Sequence, residues 1–282
     1  MIRVLSCHPS HALPFNLQRS LASALAILSS FFGTAALAQG GFSALISPPR
    51  VETHTKPGQI TRQVLEVTQV GPIAGRFRVY TLDWSLNASG GVDFLEELKP
   101  NSCRPWVALE RRELSVAGNA KARFRFEIAP PADAPVQECR FAIMFEGLDT
   151  SNASSGVVNF PVSGRIGVIV YAAMAGAKPD LKILGHGISN DAAKVPTLQI
   201  QNDGTAHGRL VGLLRGADDK GVKLEFTPSS LPILPGESRT IVLAANVEGG
   251  AAVKEISYPV TVKGSLEWGG QRVPFEHTFN PK

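Results

Sequence analysis

Few residues in this chain are placed to do chemistry. His54, His186, His207 and His277 stand far apart in sequence, without an i,i+4 pair or any metal-type spacing. Each reads as a surface or hydrogen-bonded histidine rather than a metal ligand. Glu96-Glu97 and Asp218-Asp219 are adjacent acids. Neighbours on a strand point to opposite sides, so neither pair suits the acid and base of a glycosidase unless a partner comes from elsewhere in the chain. The chain has no G-x-S-x-G elbow, P-loop or dinucleotide fingerprint. Trp84, Trp106 and Trp268 could stack on sugars, but packing in a core or at a strand edge accounts for them better. Asn87-Ala88-Ser89 and Asn152-Ala153-Ser154 match the glycosylation pattern, which carries little weight if the producer is bacterial. The expectation is a protein without catalytic residues, metal or cofactor.

Cysteine chemistry depends on compartment. Residues 1–19 carry Arg3 and Arg19 and no acid, and residues 21–38 are apolar or small and uncharged. The stretch ends Ala36-Leu37-Ala38, a small-x-small pattern ahead of Gln39-Gly40. These are the three regions of a secretory signal peptide, expected to span residues 1–38. A membrane anchor fits less well, because Ser29, Ser30, Gly33 and Thr34 dilute the apolar run. Cys7 leaves with the leader, so Cys103 and Cys139 remain as an even pair in an oxidising compartment and read as a disulfide. Removing Arg3 and Arg19 leaves 26 basic residues of the original 28 against 24 acidic ones. That scattered balance of +2 argues against a nucleic-acid partner, and no later segment is apolar enough for stable membrane insertion.

The elements that would position any site are strands. Residues 63–67, 76–80 and 122–128 alternate apolar and polar side chains by twos, as half-buried antiparallel strands do. Turn signals punctuate them at Pro57-Gly58, Gly90-Gly91, Ala117-Gly118, Asp203-Gly204 and Pro235-Gly236. The proline-rich stretch 130–135 excludes helix and central strand alike. The halves also match each other at a constant offset of 133, with Leu65, Gly71, Gly75 and Arg76 opposite Leu198, Gly204, Gly208 and Arg209. The predicted fold is all-β, two immunoglobulin-like sandwiches at 39–172 and 178–282, joined by a linker in the small-residue stretch 172–179.

The order of motifs in the first half resembles a known family. Ser47-Pro48-Pro49-Arg50-Val51 is followed by Lys56-Pro57-Gly58, then Arg78 to Trp84, Pro105-Trp106, a Phe-rich strand from Arg140 to Glu146, and a strand ending at Tyr171. This order is similar to that of the periplasmic pilus and fimbrial assembly chaperones, especially divergent members, over roughly residues 42–171. The resemblance implies a two-domain chaperone that holds an incomplete pilin-like subunit by lending it an edge strand, and delivers it to an outer-membrane usher. The alternating row Val158, Phe160 and Val162 is then the expected donated strand, since an unpaired edge offers N–H and C=O groups to a partner. The resemblance further implies two basic residues gripping the subunit's terminal carboxylate. Arg50 matches the first, and Arg165 stands about two residues ahead of the second, where Gly167 occurs. The family's basic-proline step at the end of the lending strand is replaced by Tyr171-Ala172-Ala173. A secreted structural or adhesive immunoglobulin-like protein is the alternative, and a carbohydrate-binding sandwich ranks behind it.

Overall fold

The structure, a computed structural model, describes residues 43–281 except 101, 149–150, 156–157, 163, 252 and 254; for 151–155 and 158–162 it describes the backbone alone. The leader expected at 1–38, and the side chains of Val158, Phe160 and Val162, lie outside the described residues. The first sandwich comprises β1 (Ala44–Ser47), β2 (Arg50–Thr55), β3 (Thr61–Gln69), β4 (Gly75–Leu86), β5 (Val92–Leu95), β6 (Val107–Leu109), β7 (Glu113–Val116), β8 (Lys121–Ile128), β9 (Glu138–Gly147), β10 (Ser151–Ser155), β11 (Val158–Val162) and β12 (Arg165–Met174). One layer runs β1-β3-β8-β6; the other runs β2-β12-β9-β4-β5, with β7 also on β4.

Period-two patterning explains the layers. On β8, Phe124, Phe126 and Ile128 are buried while Arg123 and Arg125 are exposed. Phe124 meets Phe145 of β9 edge to face at 5.3 Å, and Phe126 meets Phe141 at 6.1 Å, so the two layers interdigitate through aromatic pairs. Leu65 and Val67 from β3, with Val168 and Val170 from β12, complete this core. The chain changes layers between β1 and β2 at Pro48 and Pro49, which have no N–H to donate to a ladder. β2 then pairs with β12 in parallel. Cys103 and Cys139 are joined by a disulfide with a Cα–Cα distance of 5.4 Å, tying the β5–β6 crossover to β9 inside the core.

The second sandwich comprises β13 (Leu181–Ile188), β14 (Pro196–Asn202), β15 (Leu214–Ala217), β16 (Lys223–Pro228), β17 (Ser238–Val247), β18 (Val260–Trp268) and β19 (Gln271–Phe279), paired in the order β13-β14-β17-β16-β15-β18-β19. β17 serves two neighbours in succession, β14 through residues 238–242 and β16 through 243–247, which carries the sheet around its own core.

The internal match has structural content. Leu65, Val67, Leu198 and Ile200 are all fully buried on the equivalent strands β3 and β14. At the strand ends, Gln69 Nε2 donates to the carbonyl of Ile73, and Asn202 Nδ2 donates to that of Ala206, the same i+4 closure of a turn. The expected linker begins too early. β12 continues to Met174, because Ala172 pairs with Cys139 on one side and with Thr53 on the other. Only residues 175–180 connect the strands, and Gly204 is needed against them: a Cβ there would stand 2.4 Å from the Lys178 carbonyl oxygen. Among the described residues, no helix is long and apolar enough to cross a membrane.

Candidate functional site: an open strand edge that ends in a cleft

β9 and β12 form a long antiparallel hairpin whose arms continue into β10 and β11. β12 meets β2 only from Ile169 onward. Its residues 165–168, and all of β11, therefore have no strand partner on that side among the described residues. These nine strand residues make an open edge of about 30 Å, at ~3.3 Å per residue. The edge stops where Arg50 pairs with Ile169.

The face of this layer turned away from the first core is ordered in rows by register. Nearest the hairpin tip, Arg165, Glu146 and Arg78 lie side by side. Arg78 reaches the Glu146 carboxylate at 2.6 Å, and that hydrogen bond above all holds the carboxyl below its usual range. The next row is Gly167, Met144 and Tyr80. A Cβ on Gly167 would stand 2.4 Å from the Phe94 ring, so the missing side chain lets Phe94 lie across the sheet. Next come Arg50, Ile169, Ala142 and Leu82, and then Glu52, Tyr171 and Arg140. Ala142, Met144, Leu82, Trp84 and Tyr171 form a buried apolar cluster on this face, with Leu234 of the second sandwich packed against it.

The last row faces the second sandwich, which belongs to the same compact unit. Tyr171 is the platform. Trp84 meets its ring edge to face at 5.2 Å, the His207 ring lies 4.0 Å away, and the Arg209 guanidinium sits 5.9 Å from its centre. Burial pushes the Tyr171 hydroxyl up to about 12, so it stays a neutral donor. His207 Nδ1 is 2.6 Å from the buried Glu138 carboxylate. The Glu52 Oε1 atom lies 2.8 Å from Arg50 Nε, 3.6 Å from His207 Nε2 and 3.7 Å from Arg209 Nε. Burial lowers the affinity of Arg140 and Arg209 for their protons, although a guanidinium keeps its charge. Three buried polar atoms here, Glu138 Oε1, Arg140 Nη1 and Arg209 Nε, make no hydrogen bond. Glu52, Glu138, Tyr171, His207 and Arg209 line a cleft of about 280 Å³ between the sandwiches. A second contact holds the sandwiches together, where the β4–β5 turn packs Gly90 on Leu231 and Arg239 donates to the Asn87 carbonyl at 3.3 Å.

Arg50 and Arg165, expected to converge, do not. Ile169 is the register partner of Arg50, and Arg165 is four residues further along β12, about 13 Å away. Arg165 faces Glu146 across the sheet instead. The cation beside Arg50 is Arg209, from the second sandwich, and sequence reasoning passed over it, although it closes the internal match opposite Arg76. Val158, Phe160 and Val162 belong to β11, in the two-stranded arm rather than in the main layer. His186 and His277, distant in sequence, stack at 3.7 Å on β13 and β19. Trp84 and Trp268 are buried.

No protein-family model matches the chain, and no curated protein matches it in sequence. Solved structures do. The chain is similar to the SafB chaperone of Salmonella enterica, in a complex with SafA pilin: 14% identity, TM-score 0.46, covering 84% of this chain and 96% of that one. It is similar to the CupB2 chaperone of Pseudomonas aeruginosa at 11% identity and TM-score 0.44, over 84% of this chain and all of that one. It also matches the CsuC–CsuE chaperone–tip subunit complex of Acinetobacter baumannii Csu pili at 12% identity and TM-score 0.43, over 85% of this chain and 100% of the matched one.

Proposed function

We propose that this protein is a periplasmic chaperone that caps pilin-like subunits by lending them the open edge of β11 and β12, and hands them on for assembly at an outer-membrane usher. The observation that carries the reading is that the edge runs unpaired toward Arg50 and ends there. A subunit strand laid along it would gain main-chain hydrogen bonds over its length, with alternate side chains filling the subunit's own groove. Its terminal carboxylate would then arrive beside a guanidinium suited to a bidentate grip. The motif order of the first half supports the same reading, and the buried Cys103–Cys139 bridge suits export to an oxidising compartment. The proposed role is binding, with no catalytic group assigned, and the two proposed domains meet at the connector 175–180.

Co-expression with a candidate pilin-like subunit and purification through a tag on this chain tests the proposal. The subunit is expected to co-purify with the wild type. Phe160→Glu and Arg50→Ala should each abolish capture while leaving the thermal transition of the free protein in place. Capture undiminished in both variants would remove the strand-lending mechanism and favour a structural or adhesive protein.

A further inference from the structure

Resting on that reading, we infer that the carboxylate grip is built from both sandwiches, Arg50 from the first and Arg209 from the second, and that Glu52 occupies it until a subunit's terminal carboxylate takes its place. The Glu52 Oε1 atom is within 4 Å of nitrogens from Arg50, Arg209 and His207, two of them on the second sandwich. A carboxylate oxygen between two guanidinium groups is the geometry a bound chain terminus would adopt. Arg209 is held in place independently of Glu52: its Nη1 donates to the Ser230 carbonyl and its guanidinium lies over the Tyr171 ring. Its Nε is buried and makes no hydrogen bond, since 3.7 Å to Glu52 is too long for one, so a closer acceptor would satisfy it.

Glu52 is suited to being displaced. Its side chain is 45% exposed and that of Arg50 is 50% exposed, so the pair is solvated and weak. Glu52 is also two residues along β2 from Arg50 and on the same face, so it can swing to water without moving the strand. An internal carboxylate of this kind keeps two guanidinium groups from facing each other unscreened when no subunit is bound. It also discriminates: a ligand without a free terminal carboxylate has nothing to offer in exchange.

The test uses the mature full chain and a dye-labelled soluble peptide of alternating valine and serine, with either a free C-terminal carboxylate or an amide, read by fluorescence anisotropy. Wild type is expected to prefer the acid form. Glu52→Gln should tighten the acid form by about fivefold, the upper end for a solvated ion pair, and leave the amide unchanged. Arg209→Gln should weaken the acid form about tenfold and the amide little. Arg209→Lys, which keeps the charge, should recover part of that loss and controls for a folding defect. Equal tightening of both peptides by Glu52→Gln, or an unchanged acid preference in Arg209→Gln, would overturn the inference. If Arg50→Ala alone removes the preference, the chaperone reading stands without the shared grip. If wild type does not distinguish acid from amide, the carboxylate anchor itself fails.

Discussion

Gly167 shows how one absent side chain shapes the outer face of this layer. With no Cβ in the way, the Phe94 ring crosses from the far end of the layer and covers the row between the charged tip and Arg50. Gly167→Val is expected to force that ring out and cost about 1–3 kcal/mol in urea unfolding, as overpacking does. In a Phe94→Ala background the same substitution should cost much less, and a double-mutant cycle measures the difference. Arg50 was singled out through the family resemblance, and its place at the end of the open edge supports the proposal. Arg209 and Glu52 were not, because their meeting depends on the pairing of β2 with β12 and on the approach of a second sandwich. The four-residue separation between Arg165 and the register partner of Arg50 was hidden for the same reason. Parity along a strand is visible in a sequence, whereas register against a strand more than a hundred residues away is not.

The hairpin from β9 to β12 is at once core, outer face and open edge. Its inward residues, Phe141, Ile143, Phe145, Val168 and Val170, are fully buried, and Cys139 at its base is bonded to Cys103. The bridge closes a loop across a sequence separation of 36, for which chain entropy gives about 3–4 kcal/mol. A Cys103→Ser, Cys139→Ser variant is expected to lose roughly that much, seen as a lower denaturant midpoint. The strands themselves were readable from alternation, and β8 is the clearest case. The layer change at Pro48-Pro49 was not foreseen: proline marks where a ladder stops, not which layer the chain joins next. The linker was set too early because Ala172, Ala173 and Met174 are small or flexible and read as connector, yet they lie buried between two neighbouring strands.

At the scale of the molecule, stability should depend on pH through the second sandwich. β13 and β19 end its strand order, and His186 and His277 stack across the two. Burial first, and His277 second, lower the affinity of His186 for a proton. The unfolded chain therefore binds that proton more readily, and the contribution is complete above the ordinary imidazole range and is lost as pH falls through it. Melting temperature is expected to drop between about pH 7 and about pH 5, and His186→Phe should flatten that part of the profile. The open edge has a consequence for the protein when it is alone. Main-chain groups left unpaired on that edge can pair with the same edge of a sister chain. Arg165, exposed on that edge, would meet like charge when two copies align in matching register. An Arg165→Val variant is accordingly expected to form more dimers or larger species in sedimentation than the wild type at the same concentration. On this view Arg165 acts against edge-to-edge pairing of two copies.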